Sequence, residues 1–290
     1  MSNMTEKEIA FIAEAAQFLD HPSLVLKLTK AIGKPLDMLQ KQMPEKAQAY
    51  LTKTVEKALN TALRMAIATI KSETKELENL GLVAHRSKVA GWAHTAGVAA
   101  TGAVGGFFGL ASLPVELPVS TGVILRGISS VAKEWGFDVK DPSVQLQCVY
   151  VFTLGSSKPA ELDQSDYLAS RVAFSRVIRE AALFVGQFTA RELFAAVEKG
   201  AAPVFTRFIA QVAARFEVAV TEKLLATAIP VAGAIGGAAI NAAFCDYYVT
   251  AARYHFGLLH LERLHGAKEV QKLFANPPQP KTGNDREHRV

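Results

Sequence analysis

Residues 229–266 read IPVAGAIGGAAINAAFCDYYVTAARYHFGLLHLERLHG. The stretch begins as uncharged glycine and alanine and then turns aromatic and polar, placing Asn241, Asp246, His255 and Glu262 along what its periodicity predicts to be one long helix. On a wheel of about 100° per residue, Asn241, Cys245, Tyr248, Ala252, His255, Leu259 and Glu262 fall on one slowly drifting stripe. Asp246 and Arg253 fall together on another side. Phe244, Val249, Tyr254, Leu258 and Leu261 occupy the remaining directions, so the helix is expected to be buried nearly all round. Its polar groups must then find partners inside the protein.

Outward from this helix, the chain reads as further helices separated by caps and breakers. Apolar spacing predicts helices over 5–20 and 23–32, and from Glu45 to about Leu80 with Gly81 as C-cap. LPVELPVSTG bends at Pro114 and Pro118 before a helix that Gly136 stops, and Asp141-Pro142 opens another over 143–154. A long helix is expected from Asp166 to Lys199, its arginines 171, 176, 179 and 191 forming a solvated surface. Pro203 begins the next, with Phe205, Phe208, Ile209, Val212, Phe216 and Val220 inward, and a short one closes the fold near Phe274. No segment reads as a pair of strands.

Between Lys88 and Glu116 there is no formal charge. That run is long enough to span a bilayer, but it is rich in Gly, Ala, Ser and Thr, includes His94, and nearly lacks Leu and Ile. Its GAVGG at 102–106 is echoed by GAIGG at 233–237, and small residues at such spacing let helix backbones approach closely. The expected fold is all-α: a single multi-helix domain over 1–275 with two central Gly/Ala-rich helices in close contact. Within it, 1–80 supplies N-terminal helices and 81–266 the core, while 276–290 has too little apolar content to fold.

The charge balance excludes some classes. Thirty-two basic against 27 acidic residues leave a net +5, but the basic residues are scattered and form no nucleic-acid footprint. Cys148 and Cys245 are unpaired in the sequence pattern and read as small buried hydrophobes of a reducing compartment. The acidic N-terminus MSNMTEKEIAF is unlike a secretory signal, giving an expectation of cytoplasmic residence. No nucleophile elbow, phosphate loop, dinucleotide fingerprint or paired CxxC is present, and the cofactor is left unknown.

Two segments carry a resemblance. GGFFGLASLPVELPVSTGVILRGISSVAKEWGFDVKDP, at 105–142, resembles a signature of the EcsC family, with its Gly-rich lead, LP-acidic-LP turn, arginine on the next helix and terminal G-x-D. IPVAGAIGGAAIN at 229–241, followed by Phe244, Asp246, His255-Phe256, Leu261-Glu262 and Gly266, resembles the second. Leu259 and His265 depart from it, standing where a basic and an aromatic residue are usual. The resemblance implies association with an ABC-type exporter, with a membrane surface or transporter subunits as partners at the inner face of the cell membrane; it implies no assigned activity.

Two chemical readings of the polar residues compete. In the first, Glu116, Asp246, His255 and Glu262 are the catalytic candidates of a hydrolase, with Asn241, Arg126, His94 and Tyr248 as ligand-binding candidates and the metal, if there is one, unidentified. Against a shared ion stands the spacing of His255 and Glu262, seven residues or about 10 Å of helical rise apart. In the second, Asn241, His255, Glu116 and Arg126 form a structural network that fixes one packing of helices. A lipid or hydrophobic ligand between the Gly-rich helices is a third expectation. The leading reading is a non-enzymatic accessory or interaction protein, with the polar groups partnered by other side chains and Glu116 and His255 as the first candidate pair.

Overall fold

The computed structural model describes residues 4–20, 24, 45–72, 113–155, 165–228 and 233–278. These form nine α-helices and no strand: α1 (Glu6–Asp20), α2 (Glu45–Ser72), α3 (Leu113–Glu134), α4 (Pro142–Tyr150), α5 (Asp166–Val185), α6 (Ala190–Glu198), α7 (Pro203–Ala228), α8 (Gly233–His265) and α9 (Ala267–Ala275). A 3-10 turn, Val151–Gly155, follows α4. The protein is a single all-α domain, as the periodicity predicts. The predicted helix at 23–32 (Leu24 apart), His94 with the rest of the Gly-rich run up to residue 112, and the tail beyond 278 lie outside the described residues. So, therefore, does the predicted crossing of two Gly-rich helices.

The 33-residue α8 is the axis of the bundle. It packs against α3, α1, α9, α7 and the 3-10 turn, and only scattered positions such as Asp246, Arg253, Arg263 and Leu264 are exposed. α2 lies along α3 and also meets α7, while α4 packs on α5. Phe205, Phe208, Val212, Phe216 and Val220 of α7 are buried, as their spacing requires. Gly257 marks a close approach of α1 to α8: a Cβ there would run into the ring of Phe11 on α1 and lie 2.9 Å from Trp135.

Local chemistry sets the boundaries. Asp141 caps α4 by accepting from the Ser143 amide at 2.7 Å, with Pro142 in the first turn. The predicted helix then tightens after Tyr150 instead of continuing to Leu154. Tyr247 and Tyr248 of α8 donate to the Leu154 and Phe152 carbonyls, at 2.7 and 3.4 Å, satisfying groups that the end of a helix leaves open. Gly136, Gly200 and Gly266 take positive φ, 79°, 69° and 88°, at the turns where the sequence places stops.

Two expectations are corrected. The helix predicted over 166–199 is broken: α5 ends at Val185, the chain turns, and Thr189 opens α6. A capping box makes the break, with Thr189 N donating to Glu192 at 2.8 Å and Glu192 N donating back to the Thr189 hydroxyl at 3.4 Å. There is also no bend between Pro114 and Pro118, because α3 starts at Leu113 and runs through Pro118. Pro114 falls in the first turn, where an N–H is unused anyway, and Pro118 deletes just one further helical bond near the end.

Candidate functional site

His255 sits on α8 with no solvent exposure. Its Nδ1 lies 2.9 Å from the Tyr167 hydroxyl of α5, and its Nε2 lies 3.0 Å from Oε1 of Gln147 on α4. A carboxamide oxygen only accepts, so Nε2 carries the hydrogen and Nδ1 accepts from Tyr167. The ring is thus a neutral link in the chain Tyr167 to His255 to Gln147. Burial holds its pKa well below the usual histidine range, and the charge of Arg171 adds to this. Burial likewise pushes the Tyr167 phenol well above its ordinary value.

One helical turn beyond Tyr167, Arg171 grips Glu262 with two parallel bonds, Nη1 to Oε1 and Nη2 to Oε2, each 2.8 Å. Gln271 of α9 donates to the same carboxylate at 3.2 Å. The pair is mostly buried, so the expectation that Arg171 belongs to a solvated surface is wrong. Arg171 borders the inward stripe Tyr167, Ser170, Phe174 and Ile178, where a bidentate carboxylate partner offsets the loss of water. Arg176, Arg179 and Arg191 are exposed, as expected. Close by, Arg215 of α7 donates to Ser170 at 2.7 Å, and Ser170 accepts from Tyr150 at 3.1 Å.

Glu116 is elsewhere. In the first turn of α3 it accepts from Lys223 Nζ of α7 at 2.8 Å and from Asn241 Nδ2 of α8 at 3.2 Å. Asn241 and His255 are fourteen residues apart on one helix, so these two clusters are separated by about 21 Å of helical rise. Glu116 and His255 are therefore not a pair. Asp246 and Arg126 both face solvent, and Tyr248 is buried in an aromatic cluster with Phe152, Phe216 and Phe244. Of the eight residues singled out by sequence, the fold joins Glu116 with Asn241, and links His255 to Glu262 only through Tyr167 and Arg171. Arg126 is part of neither network.

Sequence reading missed Lys223, Arg171, Tyr167, Gln147, Gln271 and Glu222. Lys223 had a signal, since it continues the buried Phe216–Val220 stripe of α7 by three residues and puts a charge on an apolar face. Glu222 is mostly buried, its Oε2 has no hydrogen-bond partner among the described residues, and burial raises its pKa to about 7. Among the described residues no three His, Cys, Asp or Glu side chains converge as a metal site would require. Both cysteines are buried, and burial pushes the Cys148 thiol up to about 12. A half-open cleft of about 170 Å³ lies beside the His255 chain, lined by Gln147, Arg171, Ser175 and Gln271 with apolar walls from Tyr150 and Val172.

The EcsC protein family model matches residues 12–260, most of the chain. The chain belongs to the EcsC protein family. Comparison with the curated proteins and with the solved structures found no match. The EcsC match runs from Ile12 in α1 to His260 in α8, so it spans Glu116, Lys223, Asn241, Tyr167 and His255, while Glu262 and Gln271 follow its end.

Proposed function

We propose that this EcsC family member is a non-enzymatic accessory protein that docks at the cytoplasmic face of the membrane, beside the membrane helices of an ABC-type transport or export machinery. The observation that carries the reading is α3. Among the described residues it is the one helix long and apolar enough to cross a membrane, and 50% of its apolar window is buried in the bundle. Glu116 within it is paired with Lys223. Val115 and Val119, 74% and 43% exposed, lie one turn apart on its outer face, Val115 ending the uncharged run from residue 89 and Val119 following Glu116. Half-buried and half-offered, α3 supports docking against a partner helix better than crossing a bilayer alone.

The polar residues support the non-enzymatic half. Glu116, His255 and Glu262 each have side-chain partners, and they occupy two separate clusters with no common centre for a reacting atom. Photo-crosslinking tests the reading. A crosslinker at Val115 or Val119 is expected to capture a membrane subunit of an ABC-type exporter in intact cells. Adducts with lipid alone, or none while a control crosslinker in a known membrane complex succeeds, would overturn the transporter assignment.

A further inference from the structure

We infer that the cleft between α4, α5 and α9 is a binding site for a compact oxyanion, a phosphate or carboxylate group, held by the Gln147 amide and the outer N–H groups of Arg171. The direction of the buried hydrogen bonds carries the argument. Tyr167 donates to His255 and His255 donates to the oxygen of Gln147, at 2.9 and 3.0 Å, which leaves the Gln147 NH₂ as the donor end of the chain, and Gln147 lines the cleft. Each bond in such a chain polarises the next, so its last N–H is a strengthened donor.

Charge favours the same ligand. Arg171 lines the cleft while its partner Glu262 does not. Two of its five N–H groups are spent on Glu262 and one on the Tyr167 hydroxyl, and two remain. Behind the cleft wall, Arg215 holds Ser170 and through it Tyr150, and among the described residues no carboxylate pairs with Arg215. Arg171, Glu262 and Arg215 together leave one net positive charge. The volume, about 170 Å³, is below the range for a whole drug-sized ligand, so it suits a single headgroup or a small anion. The site is distant from Val115 and Val119 and stands or falls independently of α3.

Titration of the ¹⁵N-labelled full chain with inorganic phosphate and with acetate, followed at the Gln147 side-chain amide and the His255 Nε2–H, tests the assignment. Saturable shifts at both groups are expected. Val172, 74% exposed at the rim, can be replaced without touching the core; Val172→Glu sets a like charge at the mouth and is expected to weaken binding by roughly tenfold or more. Gln147→Met is expected to abolish it. Vesicles containing phosphatidic acid separate the two sources: retention that Val172→Glu removes assigns a lipid headgroup, and free-phosphate binding without retention assigns a soluble anion. No saturable shift with either anion, or equal affinity in Val172→Glu, would overturn the site.

Discussion

Glu222 and His255 give the fold opposite pH dependences. For His255 the folded pKa lies well below the unfolded value near 6.5, so its contribution to stability is complete above that pH and is lost as the pH falls below it. Glu222 has the opposite sign. Its pKa rises from 4.5 unfolded to about 7 folded, so its contribution is complete below 4.5 and is lost as the pH rises through about 7. Glu222→Gln keeps the neutral form at every pH, and the expected result is a variant that matches the parent at pH 4 and exceeds it at pH 8 by about 1–3 kcal/mol in urea denaturation. A gain of the same size at both pH values would mean that the carboxylate is not buried as described.

The Arg171–Glu262 pair is the other residue-scale test. Either single replacement by Met leaves a mostly buried charge without its partner and is expected to cost about 3 kcal/mol. The double variant Arg171→Met/Glu262→Met is expected to lose less than either single one, a coupling that a double-mutant cycle reads directly. Glu262 itself was legible in the sequence, because a carboxylate on a helix buried all round must be satisfied. Its partner was not, since α5 could be set beside α8 only by the tertiary fold, although Arg171 borders a stripe that the apolar spacing marks as inward.

At the scale of elements, the helices were written in local chemistry and their breaks less so. Asp141-Pro142, the glycines at 136, 200 and 266, and Pro203 each end or open a helix where the sequence places them. The break between α5 and α6 was missed because apolar periodicity continues across it, while the deciding signal, Thr189 with Glu192 three residues later, is short. The α1–α8 crossing depends on a single missing side chain. Gly257→Ala is expected to destabilise by about 1–3 kcal/mol, since Phe11 must give way, and Phe11→Leu in the same chain is expected to recover part of that loss. Thermal unfolding of the three variants checks it; an additive double variant would contradict the contact.

For the whole molecule, the polar stripe of α8 is divided between two networks and does not make one centre. Asn241 ties α8 to the Glu116–Lys223 pair near one end, and His255 ties it to α4 and α5 near the other. Helical rise alone was enough to separate His255 from Asn241 before any contact was known, but nothing in the sequence said which of them Glu116 would join. The exposed Val115–Val119 stripe of α3 is the surface that the proposed docking assigns to an outside partner. Flotation of the protein with membrane vesicles from expressing cells tests that claim most directly. The wild-type chain is expected to rise with the vesicles and the Val115→Asp/Val119→Asp variant, folded to the same thermal midpoint, to stay at the bottom; a wild-type chain that stays at the bottom as well would contradict it.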